Sequence, residues 1–92
     1  MPDFFKEYMR LIDDELVFDE ILELITEYNY KINSIKPGGS DADFSRYYLQ
    51  LREEYLIKIR NIAKPCIRDQ FAFEKIVWKQ NSEIKDLKSG FA

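Results

Sequence analysis

The chain has 92 residues, of which 46% are hydrophobic, 15% aromatic and 34% charged, and its formal net charge is −3. This composition excludes a disordered chain, and the length favours a single domain over residues 1–92. No apolar run approaches the ~18 residues that cross a bilayer, the first residues lack the pattern of a signal peptide, and the lone Cys66 excludes an internal disulfide. We therefore expect a cytoplasmic protein without membrane association.

Charge is unevenly distributed along the chain. Residues 1–45 contain 11 acidic and 4 basic residues, a net charge of −7, whereas residues 46–92 contain 6 acidic and 10 basic residues, a net charge of +4. Either the two halves pack together and neutralise each other, or one half presents a charged face to a partner of opposite charge.

Apolar residues recur at helical spacing through the first 35 residues, with one change of phase. Pro2 and Asp3 suit the first turn of a helix, and the acidic residues 13–15 lie at the change. They mark either a kink or a short turn in which Asp13 or Asp14 caps the next helix. We predict two helices, roughly 3–13 and 16–35. Their stripes are Phe5, Tyr8, Met9, Ile12 and Leu16, then Val17, Phe18, Ile21, Leu24, Ile25, Tyr28, Ile32 and Ile35.

Proline and glycine residues delimit the later helices. Pro37 and the glycines after it end the second helix, and Ser40 and Asp43 have the spacing of a capping box for a third. Pro65 either kinks one long helix or begins a fourth in its first turn, and Gly90 ends the last helix. The third stripe is Phe44, Tyr48, Leu51, Tyr55, Ile59 and Ile62, with Leu49 and Leu56 beside it; the fourth is Ile67, Phe71, Val77, Trp78, Ile84 and Leu87, with Phe73 and Ile76 beside it.

No segment alternates apolar and polar residues over the length of a strand, so we predict an all-α fold. The simplest arrangement is a small antiparallel bundle of three to four helices. If both interruptions are mild kinks, the alternative is a kinked helical hairpin that dimerises into a four-helix structure.

The chain lacks the residues on which most catalytic and metal sites depend. It has no histidine, one cysteine and no phosphate-binding glycine motif. An EF-hand loop starting at Asp13 fails, because Val17 would fall at a ligand position and Phe18 at the turn position that requires glycine. We therefore expect no enzymatic activity, no cofactor and no metal site.

The second predicted helix carries a candidate partner-binding surface. On a helical wheel, Asp19, Glu23 and Glu27 lie opposite the apolar stripe, and Tyr30 falls among them. Acidic side chains steer a basic partner, and a tyrosine supplies contact area at low entropic cost. Tyr30 either belongs to this surface or covers the end of a neighbouring helix.

The start of the third helix carries a second candidate surface. Asp41 and Asp43 precede Tyr47 and Tyr48; Tyr48 belongs to the apolar stripe, whereas Tyr47 lies at its edge. This corner is either a partner-binding site or a capped turn with tyrosines at the core boundary.

The stretch from Pro37 to Tyr48 resembles the loop and tyrosine pair of the nuclease-colicin immunity proteins, small acidic four-helix proteins that bind and block DNase toxins. The matching residues are Pro37, Gly39, Ser40, Asp41, Tyr47 and Tyr48. This chain departs from the family pattern by additional residues before Tyr47, by Leu49 in place of a proline, and by continuing into a long helix. The resemblance implies that Asp41, Tyr47 and Tyr48 contact the toxin.

These observations lead to one preferred function and two alternatives. We expect a protein-binding module, in its most specific form an inhibitor or immunity-type protein that blocks a basic effector through an acidic, tyrosine-bearing surface; an adaptor or complex subunit fits equally. The first alternative is a nucleic-acid-associated or regulatory module that uses the basic half. Its candidate residues are Arg46, Arg60, Lys64, Lys75, Lys79, Lys85 and Lys88. The second alternative is a structural homodimeric subunit.

Overall fold

Four α-helices form the fold in the computed structural model, which describes residues 3–34 and 41–90, with side chains for residues 4–34 and 44–90. The helices are α1 (Asp3–Met9), α2 (Glu15–Asn33), α3 (Asp41–Ala63) and α4 (Gln70–Ser89), and a 3₁₀ turn at Lys64–Cys66 follows α3. No strand occurs within the described ranges. The predicted small all-α bundle is therefore confirmed, with four helices.

The first helix ends earlier than the predicted residue 13. After Met9 the backbone tightens, because the amides of Leu11 and Ile12 bond to carbonyls three residues earlier, at 3.0 and 3.3 Å. Ile12 then pairs with Ile67, from the connection between α3 and α4, in an isolated antiparallel bridge. This bridge attaches the segment after α1 to the connection between α3 and α4.

Asp14 begins the second helix. Its carboxylate accepts hydrogen bonds from the amides of Leu16 and Val17, at 2.9 and 3.3 Å, and so satisfies two of the donors left free at a helix N-terminus. The acidic residues 13–15 are therefore part of a turn and not a kink, and Asp14 is the cap of the two candidates. The other predicted cap is the capping box at the start of the third helix. Its first residue, Ser40, lies outside the described residues.

Pro65 separates α3 from α4. It lies in the 3₁₀ turn, and the chain continues through the buried Ile67 before α4 starts at Gln70. Asp69 caps α4 through its carboxylate, and Gly90 ends the helix as predicted. Of the two predicted roles of Pro65, the kink in one long helix is wrong, because α3 ends before it. Pro65 does lie in a first turn, but in that of the 3₁₀ helix, and α4 begins five residues after it.

The core is built from all four helices. Its buried members are Phe5, Tyr8, Met9, Ile12, Ile21, Ile25, Tyr28, Leu51, Tyr55, Leu56, Ile59, Ala63, Ile67, Phe73 and Ile84. Aromatic rings meet edge to face at its centre, where the Tyr28 ring lies 5.1 Å from that of Phe5 and 5.7 Å from that of Tyr55. Most of these residues belong to the predicted stripes, so helical periodicity identified the greater part of the core.

Several residues assigned to apolar stripes are exposed instead: Leu16, Phe18, Phe44, Phe71, Trp78 and Leu87. Leu16 is exposed because it belongs to the first turn of α2 and not to α1. In α4 the predicted phase is wrong. The inward side of this helix carries Phe73, Ile76, Val77, Gln80 and Ile84. Gln80 is the polar residue of this set, and it interrupts the apolar spacing from which the phase of α4 was predicted.

A buried polar network centred on Gln80 joins α1, α3 and α4. The Gln80 side chain is 1% exposed. Its carbonyl oxygen accepts hydrogen bonds from the Tyr8 hydroxyl and from Arg60, the latter at 3.0 Å. Its NH₂ group donates to the Phe4 carbonyl at 2.8 Å and to the Glu7 carboxylate at 3.1 Å. Arg60 also donates to the Tyr8 hydroxyl at 2.8 Å. Every hydrogen-bonding position of the amide is used, which compensates for its loss of water.

Tyr8 and Tyr28 are both buried, but their hydroxyl groups differ. The Tyr8 hydroxyl bonds to Gln80 and Arg60, whereas that of Tyr28 has no hydrogen-bond partner among the described residues. Burial raises the pKa of both phenols above the ordinary value of 10.0, and at Tyr8 the hydrogen bond from Arg60 partly opposes this rise in pKa. Both side chains are thus held in the neutral form.

Replacing Ile59 by alanine tests the core. Ile59 is fully buried, so we expect Ile59→Ala to lower the free energy of unfolding by about 2–5 kcal/mol, through lost apolar burial and the cavity that remains. Ile57 on the same helix is 55% exposed, and Ile57→Ala should change the free energy of unfolding by less than about 0.5 kcal/mol. Urea denaturation measures both values. Equal losses of stability from the two variants would contradict the orientation of α3, which turns Ile59 inward and Ile57 outward.

Replacing Gln80 by leucine tests the polar network. Leucine has a similar volume but no hydrogen-bonding groups, so Gln80→Leu should lower the free energy of unfolding by about 1–3 kcal/mol. The loss arises because the Tyr8 hydroxyl keeps its burial and loses its acceptor. Gln50→Leu makes the same change at an exposed position of α3 and should alter stability by less than about 0.5 kcal/mol. Unchanged stability of the Gln80 variant in urea denaturation would show that the network contributes nothing.

The two tyrosines predict how stability depends on pH. Because their pKa values are raised in the folded state, their contribution is complete below the ordinary pKa of 10.0 and is lost as the pH rises above it. Urea denaturation from about pH 8 to 11 should therefore show a falling free energy of unfolding.

The matched variants Tyr8→Phe and Tyr28→Phe separate hydrogen bonding from burial. Each should reduce the loss of stability at high pH. At pH 7, Tyr8→Phe should cost about 1 kcal/mol for its lost hydrogen bonds, whereas Tyr28→Phe removes a hydroxyl that has no partner and should cost less. A larger loss at pH 7 for Tyr28→Phe would contradict this assignment.

Candidate functional site

The outer side of α2 presents the predicted acidic residues to solvent. Asp19, Glu23 and Glu27 are all exposed, while the apolar stripe of the same helix packs into the core. Tyr30 lies among them and is 73% exposed, so it is not buried against the end of a neighbouring helix. The structure therefore brings these four residues together on one surface, which we call the acidic α2 face.

The carboxylates of the acidic α2 face are only weakly compensated. Glu27 has the ammonium group of Lys31 at 3.9 Å, one helical turn away, and an exposed pair of this kind contributes little. Asp19 and Glu23 form no ion pair with the described side chains. Within the described residues, the acidic and basic halves of the chain are joined by a single ion pair, Lys79 with Glu7 at 3.8 Å. Because this ion pair involves Glu7 and no residue of α2, the acidic α2 face keeps its negative charge.

Two further residues extend the acidic α2 face, and the sequence analysis missed both. Glu20 is exposed, and Leu16 is 77% exposed in the first turn of α2. Positions 16, 20, 23, 27 and 30 follow the helical spacing of three or four residues, so an apolar side chain begins the row and Tyr30 ends it, roughly 21 Å further on. The predicted bounds of the second helix, 16–35, already included Leu16, but its assignment to the apolar stripe of the first helix concealed this row.

Tyr30 of α2 and Tyr47 of α3 line the same depression. Together with Lys31 and Ser34 they line a shallow depression of about 310 Å³. The Ser34 hydroxyl donates a hydrogen bond to the Tyr30 carbonyl at 2.8 Å, which anchors the last turn of α2. The Lys31 ammonium lies 5.1 Å from the centre of the Tyr55 ring, and the Tyr55 hydroxyl raises the pKa of Lys31. The depression thus combines two exposed phenols with a cation.

Among the other predicted residues of the α3 corner, Tyr48 does not extend this surface. Tyr48 is half-buried, and its ring packs against Tyr28 at 6.5 Å. Tyr48 therefore packs toward the core, whereas its neighbour Tyr47 is 45% exposed. Asp41 and Asp43 belong to the first turn of α3, but their side chains lie outside the described residues. Of the four predicted positions at this corner, Tyr47 alone is shown to line the depression with Tyr30.

Several basic residues of the second half, which are the candidates of the nucleic-acid alternative, make contacts within the molecule. Arg60 donates hydrogen bonds to the Tyr8 hydroxyl and to the buried Gln80 amide. Lys79 contacts Glu7, and Lys88 contacts Glu53 at 2.6 Å. Three of the seven candidate residues are thus engaged by these contacts within the described part of the chain.

The described residues lack two kinds of feature. They contain no group of three or more side chains of the kinds that hold a metal ion. Within the same part of the chain, none of the helices combines the length and apolar character needed to span a membrane.

Comparison with models of known families, with curated protein sequences and with solved structures finds no match to this chain. The resemblance to the immunity proteins around Tyr47 therefore gains no support from these comparisons. The acidic α2 face and the adjoining depression remain the candidate site on structural grounds.

Proposed function

We propose that this chain is a non-enzymatic protein-binding module whose acidic α2 face binds and blocks a basic effector protein. The single observation that carries the proposal is the exposure of Tyr30 among Asp19, Glu23 and Glu27. A large aromatic ring in water, surrounded by uncompensated carboxylates, has the chemistry of an interface hot spot for a cationic partner.

The arrangement of the face suits two separate steps of binding. The carboxylates along α2 attract a basic surface over a distance of about one Debye length, roughly 8–10 Å at physiological salt. Leu16 and Tyr30 then bury apolar area at the two ends of the row, and the depression beside Tyr47 accepts a side chain of the partner. Attraction sets the rate of association, and the buried aromatic contact sets the lifetime of the complex.

Inhibition is the most specific form of this proposal. A protein whose function is to bind nucleic acid or another polyanion carries a basic surface, and an acidic row such as that of α2 occupies such a surface by mimicking its charge. An adaptor or complex subunit would use the same contact without blocking the partner. An activity assay of the captured partner distinguishes these two forms.

Co-purification from the native host tests the acidic α2 face. Tagged wild-type protein should retain a basic partner at low salt and release it as the salt concentration rises. Tyr30→Ala should weaken the complex by about 2 kcal/mol, roughly 30-fold in Kd, and Glu23→Lys should weaken it comparably by reversing a charge. Titration of the purified partner by calorimetry measures these changes.

Matched controls come from exposed residues of α4. Trp78→Ala removes an aromatic ring that is 74% exposed, and Glu74→Lys reverses an exposed charge, both away from the acidic α2 face. Neither should change the Kd by more than about twofold. A partner that is retained equally at low and high salt, and is unaffected by the α2 variants, would end the proposal.

A further inference from the structure

A second concave surface runs between α3 and α4. Three adjoining depressions of about 480, 370 and 280 Å³ lie along it. The first two share Glu53 and Lys88, and the second and third share Leu49. We call this surface the α3–α4 groove. It follows α3 from Phe44 to Glu53, about 13 Å at the rise of an α-helix, which is the length of two to three helical turns.

The floor of the α3–α4 groove is apolar, and so is its wall at one end. Leu49 and Ile84 are 5% and 4% exposed and form the floor, while Phe44 and Leu87 are 46% and 48% exposed and form a wall at one end. Leu49 is buried although it does not belong to the contiguous core cluster. Exposed apolar side chains beside a preformed depression are a common feature of binding surfaces.

The rim of the groove is positively charged. Arg46, Lys85 and Lys88 line it, and Glu53 is the one carboxylate among the residues that line the three depressions. The Glu53 carboxylate is already paired with the Lys88 ammonium at 2.6 Å. The groove therefore carries a cationic rim over an apolar floor, in a chain whose net charge is −3.

We propose that the α3–α4 groove binds an acidic amphipathic helix of a partner protein. An apolar stripe at helical spacing would cover the exposed Phe44 and Leu87 above the floor of the groove. Flanking carboxylates would face Arg46 and Lys85. A nucleic acid would satisfy the rim but leave Phe44 and Leu87 in water. This occupant has the opposite charge to the partner of the acidic α2 face, so the inference does not depend on the function proposed above.

Fluorescence anisotropy with a defined probe tests this inference. The probe is a fluorescein-labelled acidic peptide of about 18 residues, with leucine at the i, i+3, i+4 and i+7 positions of a helix and glutamate between them. Titration with the full chain should give saturable binding, with a Kd that rises at least tenfold between about 50 and 300 mM salt. Absence of binding at about 100 μM protein would mean that the binding free energy is weaker than about 5 kcal/mol, and this result would overturn the inference.

Matched variants on α4 locate the site. Leu87→Glu and Lys85→Glu alter the groove and should each weaken peptide binding at least tenfold, whereas Trp78→Glu and Lys75→Glu, outside it on the same helix, should change the Kd less than twofold. All four positions are exposed, so each variant should keep the thermal unfolding temperature of the wild type. An equal loss from Trp78→Glu would move the site to the outer side of α4 and overturn the assignment.

Two further measurements distinguish binding in the groove from binding at the acidic α2 face and from self-association of the chain. Glu23→Lys on the acidic α2 face should leave peptide binding intact, which keeps a failure of that face distinct from a failure of the groove. Sedimentation of the unlabelled chain detects self-association. Dimers that Leu87→Glu abolishes, in the absence of peptide binding, would assign the groove to a second copy of the chain and overturn the inference.

Discussion

The burial of one amide, that of Gln80, constrains how the helices of this protein fit together. An amide removed from water is costly unless each of its donors and acceptors finds a partner, and here the partners come from α1 and α3. Helix α1 has seven residues and is too short to be stable by itself. Its position therefore depends on this contact together with the packing of Phe5 and Tyr8 in the core.

The same constraint sets the phase of α4 and, through it, much of the protein's surface. With Gln80 turned inward, Phe73 and Ile84 join the core, and Phe71 and Trp78 are left in solvent. Rotation of α4 to bury the two exposed rings would have left Gln80 without its partners. The apolar residues of α4 are therefore divided between core and surface by a polar contact, and Leu87 falls at the margin of the α3–α4 groove.

The uneven charge of the sequence is retained on the folded surface. The acidic half places its carboxylates on the outer side of α2, while the basic half contributes Arg46, Lys85 and Lys88 to the rim of the groove between α3 and α4. Ion pairs in the described residues are mostly local or lie within one half of the chain. Two surfaces of opposite charge therefore lie on separate helices of the molecule.

The sequence by itself determined the all-α class, most of the core, and the position of Asp19, Glu23 and Glu27 opposite the apolar stripe of α2, because each depends on residue types and on spacing within one helix. It left Asp13 and Asp14 both open as the cap of that helix. It did not determine the phase of α4, the inward orientation of Arg60 or the groove. The Tyr8 hydroxyl and the Gln80 side chain that meet in the core are 72 residues apart. Whether a polar side chain is buried depends on the partners that distant segments bring to it, and only the tertiary structure specifies those partners.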